Sequence, residues 1–300
     1  MKTDFIKGIV VPILTPIDKD EKIDVKVLRR QVDFVIDGGV LGILAYGSNG
    51  EFYAVEDDQL KLGLEVILDQ ANKRVPIYMG IGAVSTNKCI KIAEMAQAAG
   101  ADGISVLQPM FLKPNETELY EHFKAIAQAV PNMPMLLYNN PGRVGYTISA
   151  DLVESLAKEI ENIVGMKDSS GDMTQTAEFI RRTRPYNFKV FGGKDTMIYA
   201  ALAHGAAGCV ATTANFVPEL VCSIYNKYVS GDFCGALEAQ YVLNPIRLTM
   251  DKASFPVGTK DLANIVGLDV GNPYLPNQRT PEGPVLEQMR AELRKYMQKQ

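Results

Sequence analysis

Histidine and cysteine are scarce in this 300-residue sequence, which contains two of the first and four of the second. His122 and His204 lie in segments with helical periodicity and have no metal-ligand or catalytic-triad pattern around them, so we interpret both as structural. The cysteines are far apart and form no C-x-x-C pair, which indicates reduced thiols that act as small hydrophobes rather than a disulfide framework. They are Cys89, Cys209, Cys222 and Cys234.

The sequence also lacks basic clusters and long apolar runs. Its formal net charge is −4, which argues against nucleic acid as a partner. No apolar run approaches the roughly 20 residues that a bilayer-spanning helix needs, so no membrane association is predicted. The first five residues include an acidic residue and open no apolar signal core. Secretion is therefore not expected, and we predict a cytoplasmic protein.

What the sequence does contain is a regular alternation from residue 8 to about residue 230. Short apolar segments that read as strands alternate with longer segments of helical periodicity, which predicts a parallel sheet covered on both faces. Eight such units close into a (β/α)8 TIM barrel of the α/β class. The competing architecture, an open doubly wound sheet, usually has a glycine-rich turn after its first strand, where this sequence has Leu14, Thr15 and Pro16. The predicted strands are residues 8–15, 42–46, 76–82, 103–107, 134–138, 163–167, 188–192 and 208–212.

Helix boundaries are marked by capping residues. Helices are predicted at Val25–Asp37 and at residues 87–99, from the spacing of their apolar residues. Glycines expected to adopt the left-handed conformation follow the helices, and short polar residues precede them. The glycines are Gly38–Gly39, Gly100 and Gly205; the N-terminal caps are Thr86–Asn87, Asn115 and Ser149.

After Gly231 the alternation stops. Three further helices are predicted, at Phe233–Met250, Val257–Ile265 and Pro284–Met297, joined by turns rich in proline, glycine and asparagine. We therefore divide the chain into a barrel at residues 1–230 and a C-terminal helical extension at residues 231–300. No low-complexity linker separates the two.

Lys167 is the most informative residue. It ends an apolar segment that reads as a buried strand, where a lysine is costly unless its charge is compensated or given up. Desolvation favours the neutral amine, which is the form that attacks a ketone to give a Schiff base. The alternative is a lysine that extends its ammonium group from the strand end into water.

Other polar residues gather at the same ends of the predicted strands, where an α/β barrel forms its active site. Tyr138 ends the fifth strand and is a candidate for proton transfer, with Ser48 as a relay. The turn at residues 47–50 offers backbone N–H donors, from Gly47 onward, for a carboxylate. Arg143 could bind a second carboxylate on the partner substrate. Gly193 is a further candidate for lining the site.

Each assignment has an alternative. Tyr138 could be a packing residue, residues 47–50 an ordinary turn and Arg143 a surface arginine. Lys194 is the rival nucleophile, but it follows two glycines and is expected in a loop in contact with water. Asp168, Asp195 and Glu51 could instead hold a divalent metal, as in metal-dependent aldolases; no histidine lies near these strand ends, and we predict no metal and no cofactor.

At these residues the sequence resembles the dihydrodipicolinate synthase / N-acetylneuraminate lyase family of class I, Schiff-base-forming enzymes. The likeness covers the whole chain and depends on three motifs, at residues 47–51, 138–141 and 165–169. The resemblance implies a (β/α)8 barrel with a C-terminal helical extension, a homotetramer built as a dimer of dimers, and no cofactor. It implies that Lys167 forms the Schiff base with pyruvate or another 2-keto acid, which an aldehyde partner joins or leaves.

The resemblance also implies further roles. Tyr138 would transfer protons, Ser48 and Asn49 would contact the carboxylate and relay protons, and the backbone at Val210 would line the same pocket. Arg143 stands where dihydrodipicolinate synthases bind the carboxylate of the semialdehyde. Phe111 stands where those enzymes place a tyrosine contributed by a neighbouring subunit, and it has no hydroxyl. Asn49 likewise replaces the usual second threonine of the turn.

These two departures keep several activities open. The main hypothesis is a class I lyase or aldolase that condenses or cleaves a 2-keto acid, similar to 4-hydroxy-2-oxoglutarate aldolases. The alternatives are a true synthase that uses pyruvate and aspartate semialdehyde, a keto-acid dehydratase, and a non-catalytic paralogue that only binds a keto acid.

Overall fold

The computed structural model describes residues 3–298. Eight parallel strands form a closed barrel in which each strand pairs with the next and the last pairs with the first. The predicted (β/α)8 TIM barrel is therefore confirmed. The strands are β1 Gly8–Pro12, β2 Gly42–Ala45, β3 Ile77–Ile81, β4 Gly103–Leu107, β5 Met135–Asn139, β6 Ile163–Asp168, β7 Lys189–Gly192 and β8 Gly208–Val210.

Helices follow the strands and cover the barrel. They are α1 Val25–Asp37, α2 Asp57–Ala71, α3 Thr86–Ala99, α4 Glu116–Ala129, α5 Pro141–Val144, α6 Ala150–Glu159, α7 Met173–Thr183, α8 Ile198–Ala203 and α9 Pro218–Val229. Three C-terminal helices come after them: α10 Phe233–Met250, α11 Val257–Ile265 and α12 Pro284–Met297. The predicted bounds of α1 and of these three helices agree with the structure.

Five strands, β1, β2, β3, β7 and β8, are shorter than predicted. For the first and the last strand the reason is the same. The first strand ends at Pro12 rather than at residue 15, and the last ends at Val210 rather than at residue 212. Beyond those points the backbone turns: Thr212–Asn215 is a 3-10 helix, and the Asn215 side chain bonds Leu14 N–H and Pro12 C=O at 3.0 Å each. Asn215 thus joins the two strands that close the barrel.

Most of the predicted caps are present. Asn115 forms a capping box with Glu118, and Ser149 accepts a hydrogen bond from Leu152 N–H. The prediction of Thr86–Asn87 as a cap was wrong by one residue, because the Ser85 side chain accepts from Lys88 N–H. Gly39, Gly100 and Gly205 have φ between +89° and +95°, as predicted for glycines that end helices. The prediction was wrong for Gly38, which caps α1 with φ −72°.

The C-terminal helices pack against the barrel. Helix α10 lies along α9, and the Gln240 side chain donates to Asp195 C=O at 2.9 Å and accepts from Tyr199 N–H at 3.0 Å. The division of the chain at residue 230 remains a prediction, and its outer bounds at residues 1 and 300 lie outside the described residues.

Two other expectations concern disulfides and membrane-spanning helices. Cys89, Cys209 and Cys222 are buried and Cys234 is exposed, and none of the four forms a disulfide within residues 3–298. That the thiols are reduced remains a prediction. Across residues 3–298, no helix combines the length and the apolar character that crossing a membrane requires.

Candidate active site

Lys167 and Tyr138 lie side by side at the upper, carboxyl end of the barrel interior. They are register partners on the adjacent strands β6 and β5, and both are almost fully buried, Lys167 at 6% exposure. Lys167 Nζ lies 4.3 Å from the centroid of the Tyr138 ring. The strands therefore direct an amine and a phenol into the same enclosed space.

The Tyr138 hydroxyl is surrounded by polar groups. Asn140 Nδ2 donates to it at 2.8 Å, and the side chains of Ser48, Ser169 and Lys167 also hydrogen-bond with it. Burial raises the pKa of this phenol, but the positive charge of Lys167 and these hydrogen bonds outweigh burial and bring its pKa below the ordinary value. A phenol held in this way can give and take a proton more readily than an isolated one.

The turn after β2 supplies Ser48 and free backbone donors. Ser48–Gly50 is a 3-10 helix that follows Gly47, and the N–H groups that open a helix have no partner within it. Gly50 N–H donates to Gly47 C=O, and Glu51 N–H donates to Ser48 C=O. For Ser48 N–H and Asn49 N–H no acceptor is found among residues 3–298, so these two donors can receive a carboxylate.

The three carboxylates considered for a metal site do not converge. Asp168 accepts hydrogen bonds from Asn139, Ser170 and Thr176. Asp195 accepts from the backbone and side chain of Thr213, and Glu51 pairs with Lys260. In the described part of the chain, no group of three or more histidine, cysteine, aspartate or glutamate side chains could hold a metal ion.

The hydrogen bonds of Asp168 have a structural consequence. They fix the residue next to Lys167 on β6, on the opposite face of the strand, since successive side chains alternate. Asp168 C=O also accepts from Gly193 N–H at 2.7 Å. A side chain at Gly193 would collide with Ser169 Oγ, at 2.1 Å, so Gly193 leaves room for a serine that contacts Tyr138.

Three buried amide side chains near the site, those of Gln108, Asn139 and Asn140, were not predicted from the sequence. Gln108 Oε1 accepts from Asn140 N–H at 3.0 Å, and Gln108 Nε2 donates to Tyr146 C=O at 2.6 Å. Asn139 Oδ1 accepts from Ile148 N–H at 3.0 Å. Both asparagines and Gln108 directly follow or end an apolar strand, and that position was the signal that could have revealed them.

Arg143 and Lys194 lie in contact with water at the rim. Arg143, on α5, is exposed, and its guanidinium stacks on the Phe255 ring with 4.2 Å from Cζ to the ring centroid. Lys194 is exposed in the loop after β7, as predicted for the rival nucleophile. Only Lys167 of these three cations is buried.

The roles of two further predicted site residues remain predictions. The Val210 side chain belongs to a buried apolar cluster with Val10 and Phe191, and Phe191 is the register partner of Lys167 on the neighbouring strand. Phe111 is 94% exposed in the loop after β4 and has φ +73°. Within this chain Phe111 contacts none of the site groups described above.

Known proteins share this architecture. A sequence model of the dihydrodipicolinate synthetase family matches residues 5–300. The 4-hydroxy-tetrahydrodipicolinate synthase of Thermus thermophilus is 33% identical, over 98% of this chain and 96% of that protein. The enzyme of the same name from Methanopyrus kandleri is also 33% identical, over 97% of this chain and 96% of that protein.

Solved structures of similar proteins have the same fold. Dihydrodipicolinate synthase DapA-2 from Bacillus anthracis superimposes with a TM-score of 0.92 and 30% identity, covering 97% of this chain and 98% of that one. A prophage protein of Escherichia coli K12 from the dihydrodipicolinic acid synthase family, solved in complex with pyruvate, gives a TM-score of 0.92 at 27% identity, with the same coverage of both chains.

Proposed function

The chain belongs to the dihydrodipicolinate synthetase family of lyases, and from that premise we propose that it binds a 2-keto acid covalently through Lys167. The enzyme is proposed to make or break a bond between this keto acid and an aldehyde, without a cofactor. One observation carries the proposal: a buried amine lies 4.3 Å from the ring of a buried tyrosine whose hydroxyl is hydrogen-bonded to Ser48.

The chemistry follows from these groups. The neutral amine of Lys167 attacks the keto carbon, and the carbinolamine hydroxyl leaves as water after it receives a proton from Tyr138. The resulting iminium withdraws electrons from the neighbouring carbon. In the cleavage direction the substrate hydroxyl gives its proton to the Tyr138 phenolate, and the carbon–carbon bond breaks to an enamine and an aldehyde. In the condensation direction the iminium loses a proton from the neighbouring carbon to the Tyr138 phenolate. The enamine so formed attacks the aldehyde, whose oxygen takes up the proton. Ser48 connects Tyr138 to the substrate and passes the proton.

The remaining groups bind the substrate. Ser48 N–H and Asn49 N–H, which have no acceptor within residues 3–298, bind the carboxylate next to the keto group. Arg143, exposed at the rim, binds the distal polar end of the partner substrate, since a guanidinium pairs with carboxylates in a two-point geometry.

Borohydride trapping tests the proposal. The protein is incubated with pyruvate, reduced with borohydride, digested and analysed by mass spectrometry. The expected result is a reduced pyruvate adduct on the peptide that contains Lys167. Lys194→Met, which removes the exposed rival lysine, should give the same adduct. An adduct that is absent, or that disappears in Lys194→Met, would contradict the mechanism.

A second candidate is 4-hydroxy-tetrahydrodipicolinate synthase itself, which condenses pyruvate with aspartate semialdehyde. The names of the relatives at 33% identity favour it, and so does an arginine at the rim. A panel of aldehydes and 2-keto acids that includes aspartate semialdehyde, assayed for pyruvate uptake and release, separates it from a keto-acid aldolase or a dehydratase. Adduct formation without turnover of any pair would instead support a non-catalytic paralogue.

Three expectations remain predictions. Turnover that survives a chelator would support the absence of a metal cofactor. Light scattering on the purified protein tests the homotetramer, and cell fractionation tests the cytoplasmic location.

A further inference from the structure

Three residues at or just before the start of α11 contact the loops that carry the proposed substrate-binding groups. They are Phe255, Thr259 and Lys260. All three belong to the C-terminal helical part of the chain. The packing of this part on the barrel does not by itself indicate a role in catalysis. Thr259 and Lys260 contact the loop that follows β2, and Phe255 contacts Arg143.

Lys260 fixes Glu51, the residue that directly follows the turn. Its Nζ lies 2.6 Å from Glu51 Oε2, and both side chains have zero exposure. The other carboxylate oxygen of Glu51 accepts from Tyr274 N–H at 3.0 Å, and Lys260 also donates to Asn272 C=O at 2.8 Å. Both oxygens of Glu51 are thus held by the C-terminal part of the chain.

A buried ion pair of this kind fixes the relative position of two elements more than it stabilises the fold. Burial raises the pKa of Glu51 and lowers the pKa of Lys260, while each charge opposes that effect on the other. Ion pairs that lose their water contribute little net stability compared with apolar side chains of the same size. The Lys260–Glu51 pair does require one relative position of α11 and the loop after β2. Glu51 also has a left-handed backbone conformation, φ +53°, which few non-glycine residues adopt.

Thr259 fixes the residue that carries one of the free N–H groups. Thr259 Oγ1 donates to Asn49 Oδ1 at 3.1 Å, and Asn49 Nδ2 donates to Thr212 Oγ1 at 2.9 Å. Both ends of the Asn49 amide are therefore engaged with the protein. This leaves the backbone N–H of Asn49, rather than its side chain, to bind a carboxylate.

Phe255 contacts the second proposed substrate-binding group, Arg143. Its ring lies 4.2 Å from Cζ of Arg143, an arrangement in which the ring face attracts the guanidinium. Arg143 is exposed, so without this ring its long side chain would sample many rotamers.

We propose that the start of α11 is a positioning element for substrate binding: Thr259 and the Lys260–Glu51 pair hold the turn that binds the keto-acid carboxylate, and Phe255 holds Arg143 for a distal carboxylate. The proposal rests on the proposed function, because it concerns the same substrate. None of the three residues touches the reacting atoms.

The turn is tested with Thr259→Val, which keeps the shape of the side chain and removes the hydroxyl. The readout is the pyruvate concentration that gives half-maximal trapped adduct on Lys167. We expect it to rise by about fivefold, the effect of one lost hydrogen bond, while the maximal amount of adduct is unchanged. Thr259→Ser, which keeps the hydroxyl, should restore the wild-type value.

The ion pair is tested with the double variant Glu51→Gln, Lys260→Met, because removing Lys260 alone would leave a buried unpaired charge that could prevent folding. We expect half-saturation to rise by about tenfold. Lys252→Met, an exposed lysine in the same C-terminal part, is the matched control and should behave as wild type. Wild-type half-saturation in Thr259→Val and in the double variant would overturn the role of α11 at the turn.

Phe255 is tested by discrimination between two keto acids of equal length, 2-oxoglutarate and 2-oxopentanoate, of which only the first has a distal carboxylate. Phe255→Leu should reduce the preference for 2-oxoglutarate by about threefold, in line with one cation–π contact, whereas Phe255→Tyr should keep it. An unchanged preference in Phe255→Leu would overturn this part. A wild-type protein that forms no adduct refutes the proposed function instead, so the two failures are distinguishable.

Discussion

The two ends of the barrel interior are formed by the same strands but differ in composition: one is apolar and the other carries buried polar side chains. At the base, Leu136 on β5 and Val164 on β6 belong to a buried apolar cluster. At the mouth, Tyr138 and Lys167 extend from the same two strands. Leu136 and Tyr138 are two residues apart and therefore share a face of β5. Val164 and Lys167 are three residues apart, and both face the interior because β6 carries one extra residue, Val164, where its register with β5 shifts. Each strand thus supplies apolar packing at one end and a polar group at the other.

Two tyrosines make the comparison sharper. Tyr78 lies in the basal cluster, its ring stacked on Phe5 with 6.3 Å between centroids. Its buried hydroxyl has no hydrogen-bond partner in the described structure, and burial raises its pKa well above the ordinary value. The Tyr138 hydroxyl has several partners and a lowered pKa. The comparison shows that the surroundings, and not the residue type, prepare a phenol for chemistry.

The largest effect is expected at the mouth. Lys167→Met should abolish turnover, by roughly 10⁴-fold or more, as expected when a covalent nucleophile is lost. The free energy of unfolding, measured by urea denaturation, should fall by no more than about 1 kcal/mol, since an apolar chain of similar length replaces a buried amine. A variant that turns over substrate, or that is unfolded, would break the division between the two ends.

The two tyrosines provide a matched pair. Tyr138→Phe should slow turnover and adduct formation by about 10²- to 10⁴-fold, the range for a lost general acid–base group. Tyr78→Phe should leave the rates unchanged and raise the free energy of unfolding by about 1 kcal/mol, because it removes a buried hydroxyl without a partner. Equal rates in the two variants would contradict the role of Tyr138.

Leu136→Ala tests the apolar cluster at the lower end of the barrel interior. Deleting this buried side chain should cost about 2–5 kcal/mol of unfolding free energy through lost burial and the cavity left behind. Borohydride trapping on Lys167, performed well below the unfolding temperature, should still reach the wild-type extent. A stable variant that no longer traps pyruvate would show that the base is part of the site.

The smallest effect is expected in the pH dependence of stability. Above the ordinary tyrosine pKa of about 10, the unfolded state loses the Tyr78 proton while the folded state keeps it, so this residue destabilises the fold as pH rises. Tyr78→Phe should therefore lose less unfolding free energy than wild type between neutral and alkaline pH.

Tyr138 should act in the opposite direction. Its lowered pKa means that the folded state releases the proton first, which stabilises the fold as pH rises. Tyr138→Phe should consequently lose more unfolding free energy than wild type over the same range, measured by denaturation at a series of pH values. If both variants lost more, or both lost less, unfolding free energy than wild type as the pH rises, the proposed difference between Tyr78 and Tyr138 would be contradicted.

Much of the fold and the centre of the site could be predicted from the sequence. Apolar periodicity is a local property, so it located the eight strands, α1 and the three C-terminal helices. Because the strands of a barrel all end at one face, Lys167, Tyr138 and Ser48 are predicted to lie together. The cap at Ser85 was missed by one residue because Ser85 and Thr86 are both good caps and only backbone geometry separates them.

Other features depend on contacts between distant parts of the chain. Thr259 and Asn49 are 210 residues apart, and no periodicity marks Lys260 as the partner of Glu51. Nor does any pattern distinguish the unpartnered hydroxyl of Tyr78 from the engaged one of Tyr138.

The order of residues by itself determined that a ring of eight strands would form and that an amine and a phenol would meet at its mouth. The first follows from the alternation of strand and helix segments, and the second from the positions of Lys167 and Tyr138 at the ends of their strands. Only tertiary packing decided which groups surround that phenol, and that a helix from the far end of the chain holds the turn beside it. Such choices depend on burial and on hydrogen bonds between elements, which exist only after the chain has closed on itself.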